Sequence, residues 1–275
     1  MNNTFNINRF GLLLRRQWLE FGKIFLITLA VAFGVIAAFY LVALWGIFKH
    51  DYTARVHLDF REPLFLIFGF LFISVIASNY FAHLGQKSKT VIDLLIPAST
   101  FEKFLAGVFF TLILSLLSYV VIFYLADLAF ISKLRDTYSN IVRTTTYTDA
   151  LGKQIVETDS YAYFFTVERD GMLAPLYVAP MLVTAAFLLG SIYFNKFHYI
   201  KTAIALMLFS GLWTYLFINT TQYMMEGRSS ITGEGHSGWY SPSKNTVEWL
   251  LVFGVITLAV IFWIITYVRL KEKQV

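Results

Sequence analysis

The chain has 275 residues, of which 57% are apolar and only 14% charged, with a formal net charge of +5 and no cysteine. An aqueous domain carries about a quarter charged residues, so a core this apolar could not be covered in water. The absence of cysteine excludes disulfides, thiolate metal sites and a cysteine nucleophile. Aromatics at 18% and a mean hydropathy of +0.64 fit helices solvated by lipid. The basic residues flank the apolar stretches, which argues for spans that they orient and against nucleic-acid binding.

Residues 6–23 open the chain. Phe10, Leu13, Leu14, Trp18 and Phe21 fall on one helical arc; Arg15, Arg16, Glu20 and Lys23 fall on the other, where Leu12 and Leu19 interrupt them. Asn6 or Asn8 can cap the start. This predicts an amphipathic helix in the membrane interface, with Phe10, Leu14 and Trp18 towards lipid and Arg15 and Arg16 towards water. A plain basic flank that only sets orientation is the alternative.

Crossing a hydrocarbon core about 30 Å thick takes about 20 helical residues. Six stretches qualify: 24–48, 64–85, 104–131, 173–194, 199–218 and 247–268. Pro175 and Pro180 threaten the fourth, and only a short linker separates it from the fifth. The first is too long for a secretory signal and reads as an uncleaved span. Lys and Arg gather in the N-terminus, residues 86–103, residues 195–201 and the C-terminal tail, whereas 49–63, 132–172 and 219–246 hold slightly more acid than base. The basic set belongs inside, which predicts a multi-pass protein of the cell membrane with both termini cytoplasmic. The whole chain, 1–275, reads as one all-α membrane domain of six spans.

The predicted outer loop 132–172 is rich in Thr and Tyr. Ile141 to Tyr147, a turn near Asp149 to Gly152, and Ile155 to Thr158 read as a short β-hairpin. Residues 226–245 hold Gly233, Gly235, Gly238 and Pro242 and read as irregular.

Residues 86–105 carry more information. Val91, Leu94 and Leu95 share one face of a short amphipathic helix between Lys89 and Pro97. Ser99 and Glu102 then form the S-x-x-E capping box, so a second helix starts at Ser99 and runs into the third span. A short transverse helix held rigidly to a span can pass force from a partner into the membrane; a well-capped turn with no partner is the alternative.

The catalytic signatures looked for are not in the sequence. There is no G-x-x-x-x-G-K-[ST] run for ATP and no H-E-x-x-H, and His50, His57, His83, His198 and His236 are scattered, so neither a cofactor nor a metal site is expected. Ser191 has no histidine in a later span to act as its base. Asp127 is the one clear ionisable residue within a span. It lies four residues from the predicted outer end, where its carboxylate is expected to reach the interface. The chain is not expected to be an enzyme.

Thr90-Val-Ile-Asp-Leu-Leu-Ile-Pro-Ala-Ser-Thr-Phe-Glu-Lys-Phe-Leu resembles the loop between spans two and three of ABC-2-type transporter permeases. These carry two leucines, one residue, proline, small residues and an acid, following a basic residue and a threonine. The opening Phe5-Asn-Ile-Asn-Arg-Phe-Gly-Leu-Leu-Leu is similar to the start of the same proteins. The resemblance implies the membrane subunit of an ATP-driven exporter. It implies a homo- or heterodimer of permeases in membrane lipid, seated on separate ATPase subunits that hold the ATP. Lys87, Lys89, Val91, Asp93, Leu94, Leu95, Glu102 and Lys103 would then contact the ATPase, residues 87–103 entering a cleft on it. The competing function is a membrane scaffold or sensor with 132–172 as an outer binding module.

Overall fold

The computed structural model describes residues 5–45, 58, 60–82, 95–138, 144–148, 154–158, 163–166, 174–194, 196–226 and 244–273. Helix α1, Ile7–Ala43, is followed by α2, Arg61–Tyr80. Next comes α3, Thr100–Val108, continued by a π-helical segment, Phe109–Leu114, and by α4, Ser115–Tyr138. Strands β1, Thr144–Thr148, and β2, Gln154–Thr158, pair antiparallel with Thr144 opposite Thr158 and Thr146 opposite Val156. A 3₁₀ turn, Phe164–Thr166, precedes α5, Ala174–Tyr193, α6, His198–Glu226, and α7, Lys244–Lys273.

Among the described residues, five helical stretches are long and apolar enough to cross a bilayer: Ile7–Ala43, Arg61–Tyr80, Thr100–Asp136, His198–Thr220 and Leu251–Lys273. The chain is therefore a helical, multi-pass membrane protein. A shorter apolar stretch, Tyr177–Tyr193, lies within α5. That helix runs unbroken through Pro180, so the proline there does not end it. Helix α6 extends to Glu226, past the predicted end of the fifth span.

The N-terminal segment differs from expectation. No separate interfacial helix precedes the first span, because α1 is one uninterrupted helix of 37 residues. Nothing between Phe21 and Ile24 removes a donor or caps an end, so the hydrogen-bond ladder continues into the apolar stretch. At 1.5 Å per residue α1 is about 55 Å long, well beyond the thickness of a hydrocarbon core.

The chain divides into two compact units. One comprises Gln17–Phe72 and Ile113–Asp170. Its core is aromatic: the Tyr40 ring stacks on Phe130 at 5.2 Å and meets Phe60 edge-on, and Phe65 packs against Phe123 at 4.9 Å. Tyr119 donates its hydroxyl hydrogen to the Phe65 carbonyl at 2.9 Å. Its ring lies so close to Gly69 that a Cβ there would meet Cε1 at 2.8 Å, so glycine allows this contact.

The other unit comprises Met1–Arg16, Ile73–Leu112 and Gly171–Val275. Its most extensive helix pair is α5 with α7. Ile73, Ile76, Ala77, Ala185, Leu188, Ile192 and Ala259 are buried in it. Gly107 at the end of α3 sits against Phe81 and Tyr80, and Thr111 in the π-helical segment donates back to the Gly107 carbonyl at 2.8 Å. By contrast the described side chains of α6 from Met207 to Thr220 are exposed, with Met207 at 71% and Leu208 at 70%. Such a helix needs an apolar cover.

Candidate functional site

Two buried carboxylates organise the polar chemistry of the described residues, one in each unit. The first is Glu102. Residues 95 and 96 turn the chain, and Ser99, with φ −70° and ψ 153°, caps α3. The Glu102 backbone N–H donates to Ser99 Oγ at 3.2 Å, and the Ser99 backbone N–H donates to Glu102 Oε2 at 2.9 Å. This is the complete reciprocal box.

Glu102 does more than cap its own helix. Its Oε1 accepts the backbone N–H of Asn6 at 2.9 Å. Arg9 adds Nη2 to Oε1 at 2.7 Å and Nε to Oε2 at 2.8 Å, a two-pronged grip that suits a planar guanidinium. Asn6 is itself the cap of α1, its Oδ1 accepting the N–H of Asn8 at 3.0 Å. One carboxylate thus ties together the first residues of two helices, where the helix dipoles favour negative charge. Burial opposes the charge on Glu102, but Arg9 and the N–H groups of Asn6 and Ser99 outweigh it and lower the carboxyl to about 2. Leu13, Ala98 and Ala106 pack beside this clasp, with Phe10, Leu14 and Ile96 around them. Phe101 and Phe104 lie edge-on to Tyr267 of α7.

The second carboxylate is Asp127, 1% exposed. Its Oδ1 accepts Tyr40 Oη at 2.7 Å and Arg61 Nη1 at 3.2 Å, and its Oδ2 accepts the Phe164 backbone N–H at 2.7 Å. Arg61 is the first residue of α2, and its Nε also donates to the Leu58 carbonyl at 3.3 Å. The node therefore joins α1, α2, α4 and the 3₁₀ turn. Phe164, 2% exposed, packs on Phe123 and Phe65.

The residues singled out from the sequence fall in different places. Lys87, Lys89, Val91, Asp93 and Leu94 lie outside the described residues. Leu95 is 77% exposed, but Glu102 at 0% and Lys103 at 4% are turned inward. Both were expected on a partner-facing surface; Glu102 faces inward because its carboxylate holds the start of α1. Phe10 and Leu14 pack partly against protein, where lipid was expected, while Arg15 and Trp18 are exposed and Arg16 is half-buried. Asp127 does not reach an interface but is enclosed.

Arg9, Arg61 and Tyr40 were not identified as partners of these acids. The available signal was electrostatic: a carboxylate beside an apolar stretch needs a cation or several donors. No group of three or more His, Asp or Glu residues among those described could hold a metal ion. Comparison with known proteins finds no matching family model, no similar curated protein and no similar solved structure.

Proposed function

We propose that this chain is the permease subunit of an ATP-driven ABC-type exporter, coupled through residues 87–103 to a separate ATPase. The observation that carries the reading is the Glu102 clasp. It ties the residues after Pro97 to the start of α1 and directly to the helix that continues into a span, so a push on 87–95 would be transmitted rather than absorbed. In this reading the chain does no covalent chemistry; ATP is bound and hydrolysed on the partner.

The proposal includes six spans. Tyr177–Tyr193 is 17 residues, at the short end of what crosses a bilayer, and an even number of crossings agrees with the basic residues at both ends lying in the cytoplasm. The open apolar sides of α6 support association with a second permease as well as with lipid. The alternative is a scaffold or sensor of the cell membrane. It draws support from the β1–β2 pair and from the bond between Asp127 and the Phe164 N–H, which anchors the end of the 132–172 segment to the helices.

The deciding experiment is mild-detergent purification of the tagged chain from its native membrane, with mass spectrometry of co-purifying proteins. The exporter reading expects a stoichiometric ATPase subunit that is lost when 87–95 becomes a neutral linker. A well-folded chain that purifies without one, or with a protein held by 132–172, overturns it in favour of the scaffold.

A further inference from the structure

The junction of α5 and α6 is basic and aromatic at once. Immediately before α6, Phe197 adopts a left-handed φ of 55°. The Phe194 N–H donates to the Gly190 carbonyl at 3.0 Å, the Lys201 N–H donates to the Phe197 carbonyl at 3.0 Å, and the His198 ring bonds the Phe194 carbonyl. Gly190 lies against Thr202 so closely that a Cβ would overlap Thr202 Oγ1, at 1.9 Å. The end of α7 is drawn to the same place: Lys273 Nζ donates to the Ile192 carbonyl at 2.6 Å, and the Arg269 guanidinium lies 5.7 Å from the Tyr193 ring centre.

Residues 194–201 and the 269/273 face of α7 together bring Lys196, Lys201, Arg269 and Lys273 to this corner, against Glu272 as the one acid of these two segments, which pairs with Arg269 at 2.8 Å. Tyr193 is 61% exposed and Phe197 72%. Exposed aromatic rings beside long basic side chains mark the level where headgroups meet acyl chains. The apolar residues one or two turns further along are open as well: Ile200 and Ile204 on α6, Ile264 and Val268 on α7. A soluble protein partner would meet the charges but not this adjoining apolar surface; a phospholipid meets both, with its phosphate among the lysines and Arg269 and its chains along the helices.

We propose that the α5–α6 elbow and the end of α7 form a binding site for an anionic phospholipid of the inner leaflet. Lys273 at the Ile192 carbonyl and Arg269 at Glu272 and Tyr193 are already ordered before the lipid arrives, which lowers the ordering cost of binding. The assignment to the inner leaflet rests on the orientation proposed above; the lipid preference itself does not depend on an ATPase partner.

The test is native mass spectrometry and thermal stability of the full chain in detergent. Phosphatidylglycerol, phosphatidylcholine and inorganic phosphate are added separately. Phosphatidylglycerol is expected to be retained and to stabilise, phosphatidylcholine and phosphate much less. A Lys201→Gln/Arg269→Gln variant is expected to lose roughly tenfold or more of the phosphatidylglycerol affinity, from the usual effect of a basic residue near an anionic surface. Arg15→Gln/Arg16→Gln, outside the corner, is expected to keep it.

Equal response to both lipids, an equal response to phosphate alone, or wild-type affinity in the double variant overturns the proposal. So does loss of a co-purified soluble protein from that variant with lipid affinity unchanged. Because the chain has no cysteine, Lys196→Cys gives a single label site. Modification by an impermeant reagent in right-side-out cells would overturn the inner-leaflet assignment separately from the lipid preference.

Discussion

Replacing Asp127 with leucine removes the acceptor of three donors at once: Tyr40 Oη, Arg61 Nη1 and the Phe164 N–H. The Arg61 side chain is only 10% exposed, so its charge would be left buried. Breaking a buried pair by removing one partner costs about 3–5 kcal/mol. At about 2–4 °C per kcal/mol for a chain of this order of size, Asp127→Leu is expected to lower the midpoint by about 6–20 °C. Size-exclusion chromatography of a fluorescent fusion after heating in detergent measures it. Arg61→Met combined with Asp127→Leu removes both charges and is expected to regain much of the loss. Recovery stays incomplete because the Tyr40 hydroxyl and the Phe164 N–H still lack an acceptor, at about 1–3 kcal/mol each. If Asp127→Leu shifts the midpoint by less than about 2 °C, a small fraction of the loss expected for a buried pair, or if the double variant is less stable than the single one, the buried pair described here is not a stabilising unit.

Four further outcomes follow from the second unit. Glu102→Gln keeps one acceptor but places an amide against the Ser99 and Arg9 donors; the start of α1 should open, and trypsin should cut after Arg9 and Arg15 several-fold faster. Because the Glu102 carboxyl is lowered from 4.5 to about 2, its contribution is complete above its ordinary value and is lost only as pH falls from there towards 2. Exchange protection of the Asn6 N–H, corrected for intrinsic rate, should therefore be the same at pH 6 and pH 9, and a marked loss between them would refute the charged clasp. Gly190→Ala should destabilise by more than the usual 1–3 kcal/mol of overpacking, with partial rescue by Thr202→Ala, since the Thr202 Cβ would still lie 2.8 Å from the new methyl. Leu95→Asp, at a 77% exposed position, should change stability by no more than about 0.5 kcal/mol but abolish ATPase co-purification; retained binding would remove Leu95 from the proposed contact.

The apolar stretches were legible because lipid imposes a simple demand, about 20 apolar residues in a row; among the described residues helices run through each, and five are long and apolar enough to cross. The Ser99–Glu102 box was legible because both partners lie within one turn, so spacing alone defines the geometry. What spacing cannot reveal is a contact across the chain. Arg9 and Glu102 are separated by 93 positions, and Arg61 and Asp127 by 66. Read alone, each is an ordinary flanking charge. The unbroken α1 was missed for a related reason: an amphipathic stretch followed by an apolar one looks like two helices, yet only a breaker or a cap ends a helix, and the sequence has neither there. Pro180 misled in the other direction, since a proline within a span can be accommodated when neighbouring groups take up the freed carbonyl.

The burial of Glu102 changes which experiments on the 86–105 segment are informative. A charge reversal at Glu102 would disturb partner binding under either functional reading, because it would release Arg9 and the Asn6 N–H and remove half of the reciprocal box at the start of α3 before any partner arrived. Loss of binding in Glu102→Lys therefore carries no information about contact. The opposite holds at Leu95, whose side chain makes little contact within the protein and whose replacement leaves the clasp intact. Separating the two effects needs the pair of variants in one assay: thermal midpoint and ATPase co-purification, measured together. A contact residue changes the second without the first, and a clasp residue changes both. On the geometry, Leu95 belongs to the former class and Glu102, Ser99 and Arg9 to the latter.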